Sequence, residues 1–134
     1  MKIAIYTANI GGNVNNVDDD LHHYEDGIDY FYFTDTKDVK SNKWNVVYVN
    51  NSYSNTKISP GSRILAKRIK MLYWEFFQEY DWIIWVDAHH VLLPTPNANG
   101  INDYIKNIPY EVDIIFKKHT GFMPLFDENG NIVE

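Results

Sequence analysis

Asp87, His89 and His90 form a short polar interruption between two apolar runs, in Asp81-Trp82-Ile83-Ile84-Trp85-Val86-Asp87-Ala88-His89-His90-Val91-Leu92-Leu93. A carboxylate oxygen beside an imidazole nitrogen could hold a divalent metal ion. Asp87 and His89 are two residues apart, so an extended backbone would send both side chains the same way. Two readings are open here: a metal site, or an acid and two histidines in a surface turn. A second group that could do chemistry is basic. Arg63, Lys67, Lys70 and Trp74 recur at helical spacing. On an otherwise acidic chain such a stripe could meet phosphates. The plainer reading is a solvated helix face.

These residues need elements to hold them. Residues 82–86 are an unbroken apolar run rich in aromatic and β-branched types, as expected of a strand buried on both faces. Asp87 would then sit at the carboxyl end of a central strand, where open α/β sheets keep their ligands. Residues 2–8 form an opening strand that runs into the loop signal Asn9-Ile10-Gly11-Gly12-Asn13. Neither GxGxxG nor a P-loop sequence follows. Residues 29–35 and 44–49 read as the second and third strands, and 112–116 as a later one. The segment 17–29, with Asp18-Asp19-Asp20 and His22-His23, reads as a solvated connection in which a second metal site is conceivable.

A helix is expected over 61–80, with Ser59 as its cap and Pro60 at its first position. Leu65, Ile69, Leu72 and Phe76 would make its core face. A shorter helix is expected over 101–107, and the tail around 127–131 reads as a turn. The pattern as a whole predicts one α/β domain over residues 1–134, built on a mostly parallel sheet with flanking helices.

Composition narrows the function. The 134 residues suffice for one core, and an aromatic content of 16% argues against disorder. A net charge of −6 speaks against a nucleic-acid partner. With no cysteine, neither disulfides nor thiolate chemistry is available. No run has the length of a transmembrane segment and the first residues lack a signal-peptide core, so a cytoplasmic location is expected.

In their order and spacing, Tyr6-Thr7-Ala8, Phe33-Thr34-Asp35, Ala66-Lys67-Arg68-Ile69-Lys70 and Tyr80-Asp81 to Val86-Asp87 resemble glycosyltransferases of the GT-A fold. The likeness is greatest to the TOD/MUCI glycosyltransferase-like domains, which carry Tyr-Thr-Ala, Phe-Thr-Asp, Ala-Arg-x-x-Lys and Tyr-Asp-x-x-x-Trp-x-Asp. A weaker likeness to the glycogenin group lies in the interval from Lys70 to Asp87 and in Val86-Asp87-Ala88-His89. The resemblance spans residues 2–119 and implies a Rossmann-like, GT-A type nucleotide-sugar-binding domain. The chain is short for that class, so a short or C-terminally truncated domain is implied.

The resemblance also implies roles. Asp87 matches the first acid of the DxD motif, which holds Mn²⁺ or Mg²⁺ against the donor diphosphate. His89 stands where the second acid is expected, and an imidazole favours Mn²⁺. Thr7, Ala8 and Asn9 match the turn that receives the nucleoside, and Asp35 a position facing base or ribose. Lys70 matches a helix lysine that reaches the donor, with Lys67 one turn earlier on the same stripe. His119 is a candidate further metal ligand. Asp87 and Lys70 are the implied catalytic pair, stabilising charge on the leaving diphosphate of a UDP-sugar. The acceptor, whether glycan, protein or lipid, is unspecified. Two other functions remain open: a nucleotide-sugar or metal-binding module without transfer, and a metal-dependent hydrolase in which Asp87, His89 and His90 activate water.

Overall fold

The computed structural model describes residues 1–12, 15–51, 61–95, 99–109, 125–126, 129 and 132–133. Four strands form one parallel sheet: β1 (Ile3–Asn9), β2 (Ile28–Thr34), β3 (Asn45–Tyr48) and β4 (Trp82–Trp85). Their spatial order is β3-β2-β1-β4. The chain therefore steps outward from β1 to β3, then returns to add β4 on the opposite side of β1. Two helices are described, α1 (Gly61–Met71) before β4 and α2 (Ile101–Lys106) after it. Leu125–Phe126 (β5) and Ile132–Val133 (β6) pair antiparallel, with Asn129 in a turn between them. Of the tail turn expected around 127–131, residue 129 alone is described; the others lie outside the described residues. The expected strand at 112–116 lies outside the described residues, as do Ser59 and Pro60.

Alternation along β1 splits the core into two layers. Ile3 and Ile5 face a cluster that includes Tyr30, Tyr32, Val39, Trp44 and, from α2, Ile105. Ala4, Tyr6 and Ala8 face the other layer, with Phe33, Phe77 and, from α1, Leu65 and Ile69. Both faces of the sheet are covered, which accounts for the near-continuous apolar sequence of its strands.

That double coverage corrects one expectation. Among the described strands β1 and β2 are central, and β4 lies at the edge. All four β4 residues are partly buried: Trp82 and Ile84 pack on the first cluster, Ile83 and Trp85 on the second. An apolar run records burial on two faces and does not report whether a strand has one neighbour or two.

The helix expected over 61–80 also ends early, at Met71. The Tyr6 hydroxyl donates to the Lys70 carbonyl at 2.8 Å, satisfying one of the oxygens left open at a helix end. A 3-10 turn follows at Tyr73–Glu75, with Phe76 N and Phe77 N both bonded to the Tyr73 carbonyl at 3.0 Å. This change of pitch buries Phe77, whose ring lies 4.9 Å from that of Tyr6 and 5.1 Å from that of Phe31. Phe76, expected in the core, is 38% exposed.

Candidate active site at the carboxyl edge of the sheet

Parallel strands bring their carboxyl ends to one edge, and the candidate residues collect there. β1 and β4 are in register with Tyr6 opposite Trp85, and Val86 N extends the pairing by donating to the Tyr6 carbonyl at 3.0 Å. The chain order reverses between β1 and β4, and such a reversal leaves a crevice beyond the carboxyl ends in which α/β sheets bind ligands. Asp87 emerges at that crevice.

The backbone beyond Val86 is not extended. His90 N donates to the Asp87 carbonyl at 2.9 Å, closing a turn. Through that turn one ligand atom each from Asp87, His89 and His90 comes within 4.8 Å of the others. Atoms bound to one ion at about 2.1 Å each can be no more than about 4.2 Å apart. Both imidazoles are exposed, and their rings stand edge to face with centroids 4.4 Å apart. The donor set, two imidazoles and a carboxylate, fits a transition ion such as Mn²⁺ better than Mg²⁺, which prefers oxygen. Asp87 and His89 thus come near one another through a turn and not along an extended strand. That turn also recruits His90, which the spacing argument did not place with Asp87 and His89. His119 lies outside the described residues.

Lys70 joins this group from the end of α1. Its ammonium lies 3.9 Å from Asp87 Oδ1, with both side chains about half exposed. It also sits 5.4 Å from the centre of the Trp85 ring, within cation–π range. The Trp85 indole N–H donates to the same Oδ1 at 2.8 Å. Of the basic stripe, Lys70 alone has a described contact with Asp87. Lys67 is exposed, and Arg68 pairs with Glu75 at 3.0 Å.

The remaining candidates lie along β1 and β2 at the same edge. Thr7 is buried, and its hydroxyl has no hydrogen-bond partner among the described residues. Ala8 packs in the layer beneath α1. Asn9 donates its side-chain amide to the Tyr32 hydroxyl at 3.0 Å. Burial is the main cause that pushes the Tyr32 pKa up, so this phenol stays neutral. Asp35, just past β2, accepts from Gly11 N at 2.9 Å and from the Asn51 amide at 3.3 Å. It thereby pins the turn that follows β1. Gly11 has φ +74°, and a Cβ there would stand 3.2 Å from that of Ser62, so glycine lets the turn approach the start of α1.

Asp19, His22 and His23 make contacts of a different kind. Asp19 accepts hydrogen bonds from the Ser41 hydroxyl and from Asn42 N. His22 Nδ1 accepts from Leu92 N at 3.1 Å, and His23 N donates to the Leu92 carbonyl at 2.8 Å. These bonds tie the connection after β1 to the segment that follows the Asp87 turn. Among the described residues the Asp87, His89 and His90 group is the candidate metal cluster. No helix of the described residues is long and apolar enough to cross a membrane. No known protein family, curated protein or solved structure matches the chain.

Proposed function

We propose that the protein is a metal-dependent glycosyltransferase acting on a nucleotide sugar, with UDP as the nucleotide and Mn²⁺ at Asp87, His89 and His90. The observation that carries this reading is the convergence of Lys70 and Asp87, 3.9 Å apart, at the carboxyl edge of a parallel sheet. A cation on a helix and a metal-ligating acid past a strand are what a diphosphate leaving group needs. The strand order and the resemblance at Phe33-Thr34-Asp35 and Val86-Asp87 support a Rossmann-like, GT-A type domain. When bound, the metal would supply Lewis-acid stabilisation of phosphate oxygens. Lys70 then places its ammonium against the same oxygens, and the turn after β1, pinned by Asp35, borders the space for the nucleoside.

His90 favours a second reading, hydrolysis. Three protein ligands leave positions on the ion for water. Product analysis separates the two. With Mn²⁺ and a panel of UDP-sugars, transfer predicts a glycosylated acceptor; hydrolysis predicts free sugar regardless of acceptor. Release of neither product, with UDP bound, would reduce the protein to a binding module.

A further inference from the structure

The indole of Trp85 connects the two charged members of the site. Its N–H donates to Asp87 Oδ1 at 2.8 Å, while its ring lies under the Lys70 ammonium, 5.4 Å from ring centre to nitrogen. The ring is itself fixed edge-on against Tyr6, at 5.0 Å between centroids. Tyr6 is 2% exposed and holds the Lys70 carbonyl through its hydroxyl. Strand β1 thus sets the indole and the backbone of the lysine from a single buried side chain.

The geometry points to Trp85 as the positioning residue of the metal site, holding Asp87 so that one oxygen only is presented to the ion. Oδ1 already accepts from the indole and faces the Lys70 ammonium. Oδ2 has no hydrogen-bond donor among the described residues and is the oxygen left for a cation. A carboxylate held at one oxygen binds an ion through the other, and loss of the holding group typically weakens metal binding by about 10- to 100-fold. The same contact makes Asp87 a shared partner. An ion at Oδ2 draws charge away from Oδ1, weakening its pull on both the indole N–H and the Lys70 ammonium. Lys70 is then freed towards an incoming phosphate. This inference rests on the metal site proposed above.

Zn²⁺, which is diamagnetic, serves as the probe in two measurements on the whole chain. Calorimetry should give Zn²⁺ binding to the parent, loss in Asp87→Ala, and weakening by about 10- to 100-fold in Trp85→Phe, which keeps an aromatic ring but lacks the N–H. In the ¹⁵N-labelled parent, the Trp85 indole N–H resonance, assigned from its own backbone signals, should move upfield as Zn²⁺ is added. The indole signals of Trp44, Trp74 and Trp82 should stay in place. A Trp85→Phe variant that melts with the parent yet binds weakly excludes a purely structural role. If the parent binds no Zn²⁺, the site itself fails and the inference with it. If the parent binds, Asp87→Ala does not, and Trp85→Phe binds like the parent, the site stands and the role of Trp85 is overturned. An immobile Trp85 resonance at saturation overturns that role too, even should the variant fail to fold.

Discussion

Asp87 joins Lys70, Trp85 and the two histidines at one carboxylate, and single substitutions around it should separate by kind. Lys70→Ala removes a charge-assisted contact to the diphosphate, worth about 1.5–3 kcal/mol, or roughly ten- to a hundred-fold in UDP affinity. Uridine, which lacks phosphate, should be nearly unaffected. Arg68→Ala, which breaks the pair with Glu75 on the helix surface, should leave UDP binding unchanged and cost well under about 1 kcal/mol in stability. Titrating both variants with both ligands tests this; equal losses would make Lys70 part of an ordinary basic surface. The sequence singles out Asp87 by its place after an apolar run, and Lys70 by the basic stripe and the resemblance; the structure sets the two 3.9 Å apart. The part played by Trp85 was not legible there, because an aromatic residue in an apolar run signals burial and conceals its one polar atom. His90, named in the sequence only for the hydrolase reading, does not follow from the spacing of Asp87 and His89, which assumes an extended backbone where the chain turns.

The elements follow the sequence where periodicity is strong and depart from it where tertiary packing decides. The strands at 2–8, 29–35 and 44–49 are observed within a few residues of those bounds. Helix α1 stops nine residues short of residue 80, the difference between 80 and 71, and the turn that follows it packs Phe77, rather than Phe76, against Tyr6 and Phe31. Phe77→Ala should therefore cost about 3–5 kcal/mol in denaturant unfolding. Phe76→Ala, at a 38% exposed position, should cost far less. A continuous helix with Phe76 inward predicts the opposite order. Gly11→Ala meets a left-handed backbone and the Ser62 side chain together, and should lower stability by about 1–2 kcal/mol. Because that turn donates to Asp35, the variant should also weaken nucleoside binding more than Mn²⁺ binding.

For the molecule as a whole, the raised phenol pKa values predict a loss of stability at alkaline pH. Burial and a hydrogen bond to Asp29 push the Tyr80 pKa up from 10 to about 12, and burial raises those of Tyr6, Tyr30 and Tyr32. Above pH 10 the unfolded chain releases these protons before the folded one does, so the folded state holds more protons and stability falls with rising pH. The contribution is whole below pH 10 and is lost between 10 and about 12 for Tyr80. Unfolding midpoints across this window should decline, and Tyr80→Phe should flatten the slope. The parallel order β3-β2-β1-β4 carries Asn9, Asp35 and Asp87 to one edge, which is why residues far apart in sequence form one candidate site. The central claim is that this edge holds a diphosphate through an ion at Asp87 together with Lys70. Calorimetric titration of UDP, with Mn²⁺ and with a chelator, tests it most directly. The account predicts that UDP binds the parent only with Mn²⁺, and that Asp87→Ala abolishes the Mn²⁺-dependent binding. Equal UDP affinity with and without Mn²⁺, or an unaffected Asp87→Ala, would contradict it.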